Sequence, residues 1–295
     1  MMFRREFFVL SAAGLGVLSA LFAEPSAKQT LRYHFKRGQK ELQLLRWNVL
    51  QTLKMKTVVS GREEIVETLS RSVKIWKMLE VDSAGNAAFE YSVNDIEMQQ
   101  KQTGRDDASY NSKRDKTIPA AFANLEGKVG VPLAHITITP QGRTTKKPLR
   151  IYAGSYSENR ITILLPEEPV GTGDDWTEQM PIKELRLPDR SVKKVKTQQR
   201  FTLKNLNNGL ANISFVSQVL TPGLKANEEV KLADSFSSGE IELDLDAGHL
   251  VRQQTTVDKT IVGIRGNSDY INYLSRLTEC CCGKTMCGVC KSTEN

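Results

Sequence analysis

The residues best equipped for chemistry stand together near the C-terminus. All five cysteines fall in the run CCCGKTMCGVC, as Cys280, Cys281, Cys282, Cys287 and Cys290. Thiolates are preferred donors for zinc and copper(I), and Cys287 and Cys290 have CxxC spacing. Only four residues separate Cys282 from Cys287, too few for two ordinary zinc knuckles, so a metal site here would be metallothionein-like. In an oxidising compartment the same thiols pair as disulfides, and an odd number leaves one for a second chain. Three uses stay open: a disulfide-linked tail without ligand, a zinc or copper site, and a cross-link or redox group joining chains.

Elsewhere the chemistry is sparse. His34, His135 and His249 are the only histidines, with no HExxH and no pair at helical spacing. His135 and His249 occupy similar places in two similar halves of the chain, which makes a site shared between them conceivable; surface or strand histidines are the plainer reading. There is no GxSxG nucleophile turn, and Gly171-Thr172-Gly173 lacks the third glycine of a dinucleotide loop. Asp244, Asp246 and Gly248 imitate the start of a calcium loop without its later carboxylates, so a β-turn accounts for them. Glu167, Glu168, Asp174 and Asp175 gather in a Pro- and Gly-rich joint, where solvated caps on strand ends fit better than an acid and base pair. No catalytic constellation is recognisable, and a non-enzymatic protein is the expectation.

The elements that would position these residues start behind an export signal. Arg4 and Arg5 precede a roughly 16-residue apolar run from Phe7 to Phe22, and Ala23 before Glu24-Pro25 offers a cleavage point. That run falls short of the about 20 residues a membrane span needs. The paired arginines followed by Glu6, Phe7 and Phe8 also resemble a twin-arginine signal. The expected destination is the periplasm or the exterior, with membrane association if the signal is uncleaved. A net charge of +7 is spread along the chain. Its densest cluster, Arg190, Lys193, Lys194, Lys196 and Arg200, alternates with apolar residues as a solvated strand face does, so no nucleic-acid partner is expected.

Beyond the signal the chain reads as strands and turns. Leu31, Tyr33 and Phe35 alternate with Arg32, His34 and Lys36, and Trp47 to Val59 continues the pattern. Ile65 to Val81 is strand-like or helix-like. Asp82 to Gly85 makes a hairpin turn into the alternating Ala87, Phe89, Tyr91 and Val93. Lys101 to Lys116 has no apolar period and predicts an exposed loop, Pro119 to Glu126 a short helix bearing Phe122 and Leu125, and Ile136 to Gly142 another hairpin.

The stretch ITILLPEEPVGTGDDW, ending at Trp176, is an alternating strand followed by a joint, after which the plan recurs. Leu79, Gly85, Ala87, Phe89 and Tyr91 match Leu203, Gly209, Ala211, Ile213 and Phe215 at one constant separation. Ile241, Leu243 and Leu245 echo Ile136 and Ile138. The predicted organisation is a signal over 1–27, one β unit over 28–160, a second over 161–266 and a Cys-rich tail over 267–295. The predicted fold is mainly β, a β-rich α+β arrangement in which two diverged copies of an antiparallel unit form a curved sheet or half-barrel with short helices.

The pieces LPEEPVGTGDDW, DSAGNAAFEY, SYNSKRDKTIPAAFANLEGKVG and GEIELDLDAGHL resemble an uncharacterised family of exported bacterial proteins, a domain of unknown function. The plan is also loosely similar to the half-barrel of periplasmic lipoprotein carriers such as LolA, which implies an acyl-chain ligand. The resulting expectation is an exported β protein that binds an apolar or amphiphilic ligand, or a lipid, lipoprotein or envelope-protein partner, lined by Trp76, Phe89, Tyr91, Phe122, Ile213 and Phe215. The alternatives are an envelope scaffold joined as a disulfide-linked oligomer, and an enzyme or metal protein whose site is not legible. No cofactor is expected apart from zinc or copper at the cysteines.

Overall fold

The computed structural model describes residues 28–35, 44–145, 149–150 and 162–281; the expected signal (1–27) and Cys282, Cys287 and Cys290 lie outside the described residues. Runs rich in β-branched and aromatic residues become strands, and residues that tolerate positive φ reverse them. Ser60 and Gly61, at φ of 51° and 74°, join β1 (Leu44–Val59) to β2 (Arg62–Val81), so the ambiguous run ending at Val81 is a strand. Asp82 Oδ1 accepts the N–H groups of Ala84 and Asn86 and turns the chain into β3 (Ala87–Gln102). β4 (Ala108–Asn111), a 3-10 segment over Ala120–Leu125, β5 (Pro132–Ile138) and β6 (Leu149–Arg150) complete the first half.

The second half contains β7 (Asp175–Gln179), β8 (Lys183–Arg186), β9 (Val192–Val195), β10 (Thr197–Asn207) and β11 (Leu210–Val219). It continues through α1 (Ala226–Val230), a 3-10 turn over Ala233–Phe236, β12 (Ser237–Asp244) and β13 (His249–Val262). β14 (Tyr270–Cys281) follows.

All strand pairs are antiparallel, and twelve strands form one sheet in the order β6-β5-β3-β2-β1-β14-β13-β12-β11-β10-β7, with β4 beside β3 and β8-β9 apart as a two-stranded ribbon. Both halves read in the same direction across the sheet. In the first, four strands of the sheet (β1 to β4), and in the second, three (β7, β10 and β11), are followed by a short helical segment and then by two more strands. The matched alternation holds its burial: Ala87, Phe89 and Tyr91 point into the core, as do Ala211, Ile213 and Phe215. Leu79 breaks the match. A bulge between Met78 and Glu80 leaves Leu79 exposed, and Met78, opposite Phe89, occupies the place that Leu203 holds opposite Ile213.

Three expectations are corrected. Residues 267–295 are not wholly a tail, because β14 is hydrogen-bonded on both sides, to β1 and β13, at the centre of the sheet. Lys101 to Lys116 is not all loop: β3 extends to Gln102, and β4 adds to its outer edge with Tyr110 buried. The alternating runs at Leu31–Phe35 and Ile163–Leu165 keep their apolar side chains buried, yet neither joins the sheet. They cross its inner face as extended segments whose polar backbone groups find other partners. Gln29 and Val170 bond each other, Tyr33 N–H donates to Pro140 O, His34 N–H to Gly248 O, and Leu165 N–H to Gln141 O. Tyr33 Oη accepts the Ile163 N–H at 2.9 Å and donates to Ile163 O at 3.2 Å.

One core runs under both halves. It contains Phe35, Trp76, Phe89 and Ile138 from the first, Phe201, Ile213 and Leu243 from the second, and Leu31, Tyr33, Ile163 and Leu165 from the crossing segments. Within the sheet, Lys74 Nζ on β2 meets Glu279 Oε1 on β14 at 2.5 Å, both side chains buried. Removing one partner strands a buried charge, whereas removing both leaves apolar packing. Lys74→Met is expected to cost about 3 kcal/mol in urea unfolding, and Lys74→Met with Glu279→Leu to recover most of it.

Gly142, at φ of 86°, lies so close to the crossing that an added Cβ would stand 2.2 Å from Ile163 O and 2.8 Å from the Tyr33 ring. Gly142→Ala should lower stability by more than about 2 kcal/mol, whereas the equally left-handed Gly104, open on all sides, should tolerate alanine far better.

Candidate functional site

Along β10, β11 and β12 the inward positions change character. Phe201 and Leu203, then Ile213 and Phe215, then Ile241 and Leu243 belong to the core; one or two alternations further on, the same face carries Thr197 and Gln199, Ser217, and Ser237. β13 and β14 extend that face with Gln253, Thr255 and Val257 and with Tyr273, Ser275 and Leu277, among which Thr255 lies opposite Leu277 and Val257 opposite Ser275. The polar residues of this face and Phe215, Val257 and Leu277, with Gln51, Gln198, Thr162, Ile163, Met180, Lys183, Asp234 and Ser235, line an open cavity of about 450 Å³.

Most of the residues that line it carry an amide or a hydroxyl, while their stems and the apolar residues make up about half of its surface. Gln199 Nε2 donates to Ser217 Oγ at 3.1 Å, and the Ser217 and Ser237 hydroxyls are 2.9 Å apart. Ser235 Oγ is buried with no hydrogen-bond partner among the described residues. Burial, then the nearby Asp234 charge, raises the Tyr273 pKa above the ordinary phenol value, so its hydroxyl stays neutral. Lys183 and Asp234 are the charged groups, and they pair with each other at 3.0 Å. Apolar contact comes from Ile163, Met180, Phe215, Val257 and Leu277. Phe215 can lie in the sheet because β12 offers Gly239 opposite it: a Cβ there would stand 2.7 Å from the Phe215 ring.

Of the lining expected from the sequence, only Phe215 borders this cavity. Trp76, Phe89, Tyr91, Phe122 and Ile213 are core residues: Trp76 packs on Phe89 and Tyr91 with ring centroids 6.4 and 4.6 Å away, and Phe122 and Ile213 are each 1% exposed. Aromatic size signals burial without saying whether the neighbour is protein or ligand. The polar lining residues carry no sequence signal beyond period two, which marks an inward face only where the inward residues are apolar.

The other candidates are held apart. His135 Nε2 stands 3.3 Å from Glu90 Oε2, while His249 Nδ1 faces Ala247 O at 3.1 Å and burial pulls its pKa below the ordinary imidazole value. Among the described residues no three His, Cys, Asp or Glu side chains are grouped to hold a metal ion. The joint carboxylates pair singly: Glu167 with Arg143, Asp174 with Lys28, and Asp175 with Arg200. Hydrogen bonds from Arg200 and then Thr202 hold Asp175 below the usual carboxylate range, which suits an ion pair and not a proton donor. Asp244 Oδ1 accepts the Asp246 and Ala247 N–H groups, closing a turn.

No family model and no curated protein matches the chain. Among solved structures, a similarity extends to "Structure of DynF from the Dynemicin Biosynthesis Pathway of Micromonospora chersina", with 8% identity, 88% of this chain and 92% of that chain covered, and a TM-score of 0.17. A likeness at that score carries no argument about fold or function.

The cysteines that begin the CCCGKTMCGVC run end the central strand. Cys280 is disulfide-bonded, and Cys281 is a free, buried thiol whose pKa burial pushes up to about 12. A thiol kept protonated and covered is a poor nucleophile. Iodoacetamide should therefore leave Cys281 unmodified in the native protein near neutral pH and label it fully after denaturation; peptide mapping by mass spectrometry reads the difference.

Proposed function

We propose that the chain is an exported, non-enzymatic binding protein whose curved sheet holds an amphiphilic ligand in the cavity between β10 and β14. The observation that carries this reading is the mixed lining itself: uncharged amide and hydroxyl side chains are most of the residues that border the cavity, and apolar surface from Phe215, Val257, Leu277, Ile163 and the stems of the polar residues makes up about half of the wall. Such a wall suits a ligand with a neutral hydrogen-bonding head, of the polyol or amide kind, joined to an apolar part. The volume falls in the range of small-molecule sites, roughly 300–1,000 Å³.

Curvature is supported by the crossing segments. β5 and β13 are separated in the sheet by β3, β2, β1 and β14, so a flat sheet would hold them roughly 24 Å apart. Pro140 and Gly248, in the turns beside those two strands, nevertheless bond to the consecutive residues Tyr33 and His34. Gln51 on β1 and Gln198 on β10 likewise border one cavity although four strands lie between them.

Native mass spectrometry of gently purified full-length protein tests the reading. A discrete adduct is expected, lost in Ser217→Phe, whose ring would project into the cavity, and weakened in Ser235→Ala, whose stability should be unchanged or higher because an unpaired buried hydroxyl is removed. An adduct that persists in Ser217→Phe, with that variant folded by circular dichroism, would place the ligand elsewhere. No adduct from any preparation, including one extracted with envelope lipids, would remove the proposal.

A further inference from the structure

The β8–β9 ribbon stands outside the main sheet and is used on one side only. Its inner side chains, Leu185 and Val195, pack on Leu232, Val219, Leu224 and Phe236. Lys193 pairs with buried Glu228 at 2.8 Å, and Lys183 with Asp234 at 3.0 Å, so the ribbon is fastened over α1 and the following 3-10 turn. Lys183 also borders the cavity, which makes the ribbon part of its rim.

Period two sends the alternate residues outward. Arg186, Lys194 and Lys196 are exposed there, and Arg190, at φ of 68°, projects from the turn. None of these four side chains has an ion-pair partner among the described residues. On the same outer side Ile182 and Val192 are 54% and 49% exposed, among the most open large apolar residues of the protein. Two acids lie on this face, Glu184 and Asp189, and the four cations outnumber them, leaving a net charge of +2. Glu184 faces Lys194 across the ribbon, and Asp189 is committed to its own turn, accepting from the Ser191 N–H and hydroxyl.

A rigid ribbon with unpaired cations surrounding two exposed aliphatic side chains has the chemistry of a peripheral membrane contact: cations for phosphate headgroups, aliphatics for the interfacial layer. We propose that the outer face of β8–β9 docks on an anionic lipid surface, with Arg186, Arg190, Lys194 and Lys196 against the headgroups and Ile182 and Val192 entering the interface. This contact does not depend on what fills the cavity, although it would turn the Lys183 rim toward the bilayer.

Sedimentation with vesicles tests it, using the full chain and either phosphatidylcholine alone or phosphatidylcholine with a minor share of phosphatidylglycerol. Binding is expected only to the anionic vesicles and should weaken as salt rises. Arg186→Gln/Lys194→Gln/Lys196→Gln should reduce the partition coefficient on the order of 100-fold at low salt, at about fivefold for each basic residue near the surface. Lys77→Gln/Lys101→Gln/Arg114→Gln, which removes the same charge elsewhere, should stay close to wild type. Ile182→Ser/Val192→Ser should lower the binding that survives high salt.

Equal loss in the two triple variants would reduce the effect to net charge and overturn the proposal. So would equal binding to neutral vesicles, or binding to a single-stranded oligonucleotide with none to anionic vesicles. Circular dichroism of each variant separates misfolding from lost docking. Because the readout is the vesicle and not the adduct in native mass spectrometry, failure here is distinguishable from failure of the cavity reading.

Discussion

The hydroxyl of Tyr33, gripping both polar groups of Ile163, is the contact on which the rest of the structure depends. Two extended segments cross the inner face of the sheet, and each carries backbone N–H and C=O groups into an apolar interior, where an unmet polar group costs about 1–3 kcal/mol. Their solution is mutual. Tyr33 caps Ile163, Gln29 pairs with Val170, Trp176 Nε1–H donates to Leu164 O, and the turns at Pro140 and Gly248 supply the remaining acceptors. Since those two turns belong to different halves, satisfying the crossing segments also ties the halves into one core. Gly142 is the steric condition of this arrangement, because no larger residue fits against Ile163.

The cavity begins where that core ends. The strands continue past Phe201, Ile213 and Ile241, but their inward residues become Gln, Ser and Thr, and the face that was packed against the crossing segments is left open beyond Ile163. A strand costs little to extend once its neighbours pair with it, so the sheet supplies a scaffold longer than its core needs. The surplus length becomes the wall of the open cavity, part polar and part apolar. The short helical segment of the second half and the β8–β9 ribbon then close one end, fastened by the ion pairs of Lys183 and Lys193.

The cysteine run shows why local sequence misleads about place. Five thiols in a cluster invite a separate tail, but β14 has an inward pattern of Tyr273, Ser275, Leu277 and Glu279, in which only Leu277 lacks a polar group, so no apolar alternation marks the strand. Each polar residue has a local cause: Tyr273 and Ser275 border the cavity, and Glu279 answers Lys74. An apolar-alternation rule assumes that the inner face is dry. Where the inner face is a chamber or holds an ion pair, the rule fails on the strands that matter most for the site.

What the sequence by itself determined was local. Turn chemistry at Asp82 to Gly85 marks a hairpin, and alternation marks which residues of β3 and β11 point inward, Ala87, Phe89 and Tyr91 in one and Ala211, Ile213 and Phe215 in the other. These are legible because φ preference and period two act over a few residues. Tertiary structure alone decided that Leu31–Phe35 and Ile163–Leu165 cross the sheet without joining it, that β14 lies between the halves, and that Ser217, Ser237, Thr255 and Ser275 face one chamber. Each of these depends on which distant backbone donors and acceptors meet, and a buried extended segment has the same alternation whether its hydrogen bonds run to a neighbouring strand or to the hydroxyl of a single tyrosine.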